Sequence, residues 1–551
     1  MNIFYKQREF ISNTLLILLF ALVATMPVFT GHFYNASTDA FFHFDRFENV
    51  IDALSHGQVP SLFNFMYYPT GSYAGVATTA MYPWLGASFF ILPRLIIVNP
   101  ITGLFVGFVI LNFITMMNAH ALLKQLTNSP WAIWAGVLIY EFNHFHIIDL
   151  YSRSAFGESI AYAWFPLVFL GLIRITQKQK SGKYLLAISM GLLLNTHVLS
   201  ALMAMLVIVG YELIQLATKK ISKQQVKDLF ISVFLSAIIA LYSLINILFM
   251  YRTNDFVSPT RILYPVDSGL FFHELLTNDV IDRTTWGYGL PAFLFQLFLT
   301  MLLVKNCRTK KWWTWVLIAD GIFVVTLNIL PWHLLLNSPM SLFQFLSRFY
   351  LLIVLFLAIA AAYYFDQKKI QKKLVLILSF FTIVLSMSAI SRMHLEYLGV
   401  GTNHDRVTAE NYVSFLNDRA GFSDYLPADK KTKMQLPVLE TQNIQLIKTG
   451  KSNDSVHYKM VINTHRIVDL PIVLYQKYKY RILLDGQEVK SQSKSQVSVL
   501  AGPGKHIISV QYVGERNTLA LLISLLGFML VLILLWCVRE KRNEGENKLF
   551  F

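Results

Sequence analysis

The chain has 551 residues, of which 55% are hydrophobic and only 14% charged, a balance that excludes an ordinary soluble globular protein and requires lipid as solvent. Its formal charge of +15 does not read as a nucleic-acid surface, because the excess Lys and Arg sits in short clusters between apolar runs, where the positive-inside rule places it. Two cysteines, Cys307 and Cys537, both beside basic clusters, imply no disulfide framework.

The first apolar run, Ile11 to Phe29, follows Lys6 and Arg8 and lacks a small-residue cleavage site, so it reads as a retained membrane helix. The stretch STDAFFHFDRFE begins at Ser37. Asp39, His43 and Arg46 stand at i, i+4 and i+7 and share one helical face, with Ser37 or Thr38 as N-cap and Asp39 in the positive first turn. Phe44, Phe47, Ile51 and Leu54 line the neighbouring face, as on a helix at a membrane surface. Asp45 and Glu48 fall off the shared face and are expected to be solvated or paired. The run from 82 to 98 is interrupted by Pro83, Pro93 and Arg94 and is therefore read as an interfacial helix, making residues 31–100 one long external loop.

If every basic cluster faces the cytoplasm, an even number of crossings separates neighbouring clusters. Runs at 11–29 and 101–122, then the pairs 130–147 with 156–174, 183–197 with 198–217, 228–250 with 288–304, 312–330 with 346–365, and 374–390 with 517–538, satisfy that rule. They total about twelve crossings, with both termini cytoplasmic. The expected external pieces carry most of the chemistry. EFNHFHIIDLYSRSAFGES supplies His144, His146, Asp149, Arg153 and Glu158. An expected turn holds His197, the 251–286 loop adds Asp282 among other charges, and SLFQFLSRFY brings Gln344 and Arg348. His144 and His146 have the i, i+2 spacing of a strand or loop, not that of a helical metal site. Residues 391–515 form a polar external region whose second half alternates as strands, with turns at Asp485-Gly486 and Gly502-Pro503-Gly504. That pattern predicts a small antiparallel β-sandwich. A last helix (516–538) and a cytoplasmic tail (539–551) follow. The fold class is thus an all-α polytopic membrane protein, residues 1–390 forming its transmembrane domain, with a small extracytoplasmic β-sandwich before the last helix.

Few ionisable residues fall inside the expected spans, unlike the midplane of a transporter. Acids and arginines gathered on one external face suit a phosphate-linked lipid donor: a carboxylate takes the acceptor's proton while arginines hold the phosphate. No nucleotide is present outside the cell, so the donor must arrive already attached to a lipid.

The segments FHFDRFENVIDALSHGQVP, LYSRSAFGESIAYAWFPLVFLGL and FQFLSRFYLL resemble the GT-C membrane glycosyltransferases, in particular the bacterial YfhO-like proteins and the group labelled 6-pyruvoyl-tetrahydropterin-synthase-related, over most of the chain. The resemblance implies a GT-C fold in the cell membrane and a polyprenyl-phosphate sugar donor. It also implies catalytic acids at Asp39 in the first loop and at Asp149 or Glu158 in the second. Transfer with inversion to a cell-envelope glycan, teichoic acid or lipid is the expected reaction. His43, Arg46, Arg153, His197, Gln344 and Arg348 are the substrate-binding candidates. A divalent cation (Mg or Mn) is left open, since Phe41 stands where an Asp-x-Asp pair would place its second acid. Membrane lipids are expected partners and nucleic acid is not. The rival readings are a flippase or exporter of lipid-linked sugars and a non-enzymatic protein anchoring the β region.

Overall fold

The computed structural model describes residues 2–66, 73–257, 261–305, 310–367, 372–396, 404–418, 424–428 and 444–548. Lipid offers the backbone no hydrogen-bond partner, so apolar runs satisfy their amides internally as helices. Among the described residues, seven helices are long and apolar enough to cross a membrane: Gln7–Phe29, Pro100–Leu126, Phe156–Thr176, Val198–Ala217, Leu346–Gln367, Lys372–Glu396 and Thr518–Val538. Lys223–Ile239 and Leu241–Thr253 make an eighth if this pair, bent by 75°, counts as one span. Beyond the bend, the Tyr242 amide donates to Ser524 Oγ at 2.9 Å. The runs expected to span at 130–147, 183–197, 288–304 and 312–330 contain helices of 12, 13, 16 and 14 residues. At 1.5 Å per residue these measure only about 18 to 24 Å, against a hydrocarbon core of about 30 Å.

The interrupted run forms a 3-10 turn, Leu85–Ala87, and the helix Ser88–Ile96, with Pro93 inside it. Leu92 and Ile96 of this helix are exposed, as suits a membrane surface. Its inner side packs under the helix Thr38–Ser55, whose apolar face enters an aromatic cluster: Phe47 stacks on Phe90 at 5.9 Å, and Phe44 lies 5.7 Å from Phe156.

The β region is a five-stranded antiparallel sheet in the order Ile444–Lys451, Ser455–Ile462, Gly504–Tyr512, Tyr480–Leu484, Gln487–Glu488, faced by the strand pair Arg466–Val473 and Gln496–Ala501. Alternate residues point inward, so that Val456, Tyr458, Met460 and Ile462 of one sheet share a core with Val468, Leu470, Val497 and Val499 of the other. Asp485 and Gly486 both take positive φ (51° and 83°), as a two-residue hairpin turn demands.

This region is bound to the first loop. Ala74 exchanges backbone hydrogen bonds with Pro471 and Val473 at 2.8 and 2.9 Å. Arg516 pairs with Asp454 and donates to the Val59 carbonyl at 2.6 Å. The Phe63 ring is enclosed by Tyr475, Tyr478, Tyr480 and Tyr512 at centroid distances of 4.9 to 5.7 Å. Phe63→Ala empties that box and is expected to destabilise the protein by about 3–5 kcal/mol, with faster protease cleavage between residues 444 and 516. Unchanged cleavage and melting temperature would contradict the role given to this ring.

Candidate functional site: a carboxylate and guanidinium cluster

Ser37 holds the N-cap position of the helix Thr38–Ser55, but its side chain does not cap the helix. Its hydroxyl donates instead to the Arg153 carbonyl. That bond brings the first turn against Arg153, and Asp39 Oδ2 lies 3.9 Å from Arg153 Nη2.

The segment from 141 to 159 departs from the expected loop. After Asn143, whose side chain accepts from the His146 amide, a short helix (His144–Ile147) continues into a π-helix, Ile148–Ser152. His144 and His146 are therefore helical, contrary to the strand or loop spacing. Ser154 then takes a left-handed conformation (φ 55°), and the helix Phe156–Thr176 begins. Arg153 Nη1 consequently donates both to Asp149 Oδ1 at 2.9 Å and to Glu158 Oε2 at 3.1 Å.

Arg348 approaches Glu158 from a distant part of the chain, its Nε donating to the same Oε2 at 3.1 Å. Its Nη1 donates to the Phe343 carbonyl and to Gln344 Oε1, at 2.8 and 3.1 Å. A fourth acid, Asp282, lies 3.7 Å from Arg153 Nε, and the Trp286 ring lies 4.3 Å from the Arg153 guanidinium. Two guanidiniums thus face four carboxyls. Glu158 and Asp149 are buried, whereas Asp39 and Asp282 are 45% and 39% exposed at the rim.

His43 and Arg46 form a second arm. Arg46 Nε donates to His43 Nδ1 at 3.1 Å, and its Nη1 donates to the Tyr82 and Pro83 carbonyls at 3.2 and 3.1 Å. Its guanidinium lies 4.3 Å from the Tyr82 ring. Arg46 does not pair with Asp39, and no described carboxylate forms an ion pair with it. Tyr82 reaches the cluster only because residue 157 is glycine: a Cβ there would lie 1.7 Å from the Tyr82 hydroxyl. On the far side of Tyr82, at 6.1 Å between rings, is His197, whose Nδ1 shares a hydrogen bond with Ser200 Oγ.

Loss of hydration dominates the titration of Asp39, Asp149, His43, His197 and Arg46. Asp39 can be reached by solvent, yet protein atoms crowd around it. That burial pushes its carboxyl above the ordinary range, while Arg153 and Arg348 pull it back. Burial, reinforced by the charge of Glu158, pushes Asp149 well up. Burial pushes His197 down to about 4 and His43 well below its usual value, so both rings are neutral near pH 7. It also lowers Arg46 to about 10, which leaves that side chain a cation.

No protein-family model and no curated protein sequence matches this chain.

All nine sequence-selected site residues lie in or beside this cluster. Asp282, Trp286 and Tyr82 were not among them. Asp282 belonged to a loop marked by charge alone, and nothing local signals that it faces an arginine 129 positions earlier. His144 and His146 are buried behind the site, where the His146 ring stacks on Tyr162 at 4.1 Å. Among the described residues, no three His, Cys, Asp or Glu side chains are grouped to hold a metal ion. Asp149 Oδ1 and Glu158 Oε2 accept hydrogen bonds from guanidiniums.

Asp45 and Glu48, the first-loop acids that fall off the shared face, have partners of their own. Glu48 pairs with Arg94 at 3.1 Å, and Asp45 accepts from Asn64 Nδ2 at 2.8 Å. Burial pushes Asp45 up to about 8. The folded state therefore binds a proton that the unfolded chain, with an ordinary carboxyl near pH 4, has released. The stability from this group is fully present below about pH 4 and is lost as pH rises through about 8. Asp45→Asn is expected to flatten the fall in melting temperature across that window, and an unaltered pH profile would count against it.

Proposed function

We propose that the protein is an integral-membrane glycosyltransferase of GT-C type that moves a sugar from a polyprenyl-phosphate donor to a hydroxyl of a cell-envelope acceptor. The observation that carries this reading is Asp39: a carboxyl at the rim of the charged cluster, reachable by solvent, with a raised pKa and guanidiniums behind it. In its ionised form such a group is a competent general base. The acceptor oxygen attacks the anomeric carbon as its proton passes to Asp39. The bond from that carbon to the phosphate oxygen breaks, and the electron pair leaves with the polyprenyl phosphate. One displacement of this kind inverts the anomeric centre.

In this reading Arg153 and Arg348 hold the acids in place, since each is bonded to Glu158. Arg46 is the guanidinium best suited to offset the phosphate charge. It is buried and, among the described residues, has no ion-paired carboxylate, so its field is felt at low local dielectric. The cluster faces the extracytoplasmic side, both termini are cytoplasmic, and the four short apolar helices complete a GT-C set of about twelve crossings. The decisive experiment measures transfer of labelled sugar from a panel of polyprenyl-phosphate sugars to cell-envelope extract, by wild type and Asp39→Asn in parallel. Transfer by the wild type alone supports the assignment, and equal transfer by both proteins ends it.

A further inference from the structure

Residues 327–343, between the helix Trp313–Thr326 and the Arg348 turn, read LNILPWHLLLNSPMSLF, without a single Lys, Arg, Asp or Glu. Leu334 is 70% exposed, and Ile329 and Leu342 are exposed beside it. The helix Ser268–Thr277 is joined to the same lobe: Asn328 Nδ2 donates to Asp267 Oδ2 at 2.8 Å, and the Val266 amide donates to the Thr326 carbonyl at 2.9 Å. This helix buries Phe271, Glu274 and Leu275 and turns Phe272 and Leu276 outward, the latter 78% exposed.

We propose that this lobe is immersed in the bilayer leaflet nearest the carboxylate cluster, with lipid acyl chains covering its apolar face. Three observations select lipid as the occupant. The first is length. Trp313–Thr326 has 14 residues, about 21 Å of helix against about 30 Å of hydrocarbon, and the segment 327–343, itself free of charged residues although its Asn337 accepts from the exposed Arg261 at 3.1 Å, extends from its end. The second is continuity, because the exposed Val324 and Val325 at the end of this helix lead directly to Ile329 and Leu330, also exposed.

The third is the backbone. Irregular chain is tolerated in hydrocarbon only where its polar groups are satisfied within the protein. Here successive tight turns do this: Leu334 N to Pro331 O at 3.1 Å, Ser338 N to Leu335 O at 2.9 Å, and Ser341 N to Ser338 O at 3.1 Å. Pro331 and Pro339 have no amide hydrogen to satisfy, and Trp332 Nε1 donates to the Leu327 carbonyl at 3.2 Å. The lobe ends at Gln344, whose side chain is bonded to Arg348. A lipid-borne molecule in that leaflet therefore reaches the cluster sideways, within the plane of the membrane.

The test uses the full chain carrying Cys307→Ser and Cys537→Ser, with Leu334→Cys labelled by an environment-sensitive fluorophore and reconstituted into phosphatidylcholine–phosphatidylglycerol vesicles. Ile507→Cys, on a half-exposed strand position of the β region, is the water-facing reference. Doxyl-labelled lipid is expected to quench the label at 334 severalfold more than at 507, and aqueous iodide to show the reverse order. Leu276→Cys serves as a second lobe position should the first variant fold poorly. Iodide quenching at the lobe equal to that at 507 overturns the proposal. So does quenching by neither reagent, which would mean that protein covers the lobe.

Discussion

Asp39→Asn is expected to lower glycosyl transfer by about 10²- to 10⁴-fold, the usual contribution of a positioned general base, while the protein stays folded. The second part of that expectation follows from geometry. Asp39 is 45% exposed and its contact with Arg153 is long, at 3.9 Å. Solvent screens a pair of that kind, which contributes about 0–1 kcal/mol to stability. Because burial raises the Asp39 carboxyl, the wild-type rate should climb with pH through a midpoint above the ordinary carboxylate range, as the base ionises. The Asn variant should lose that limb and its residual rate should be flat there. A measured loss of less than tenfold, or a pH limb that survives the substitution, removes Asp39 from the chemistry.

Glu158→Gln should act on a different property. Its Oε2 is the point where Arg153 and Arg348 meet, each at 3.1 Å, and the side chain is 5% exposed. The substitution leaves two buried guanidiniums without their shared charge, and breaking a buried pair in this way costs about 3–5 kcal/mol. Asp282→Asn, at the exposed rim and 3.7 Å from Arg153, is the appropriate contrast and should cost about 1 kcal/mol or less. Thermal unfolding of the two variants in the same detergent distinguishes a structural keystone from a rim charge. Similar melting temperatures for both would show that the Glu158 bridge does not hold the site together.

The helix Thr38–Ser55 shows how far local pattern reaches. Its start at Ser37, the acid in its first turn and the shared face of His43 and Arg46 were all legible, because each depends on residues within two turns of one another. What its side chains touch was not. Ser37 looked like a cap and is bonded to Arg153, and Arg46, on the same face as Asp39, is held by His43 and two carbonyls. The segment from 141 to 159 misled for a related reason. The i, i+2 histidines suggested an extended chain, but Asn143 starts a short helix and the π-helix after it has no marker in residue spacing.

Hydropathy and charge placement, which are additive along the chain, determined by themselves that this is a multi-pass membrane protein with a β region before its last helix, and that its acids and arginines collect in a few polar segments. Only the tertiary structure decided which acid meets which arginine, that Asp282 and Trp286 belong to the same cluster, and that the β region encloses Phe63 of the first loop. The contacts of Arg153 with Asp282 and of Phe63 with Tyr512 join residues 129 and 449 positions apart. They depend on how the helices pack, and no local periodicity carries that information.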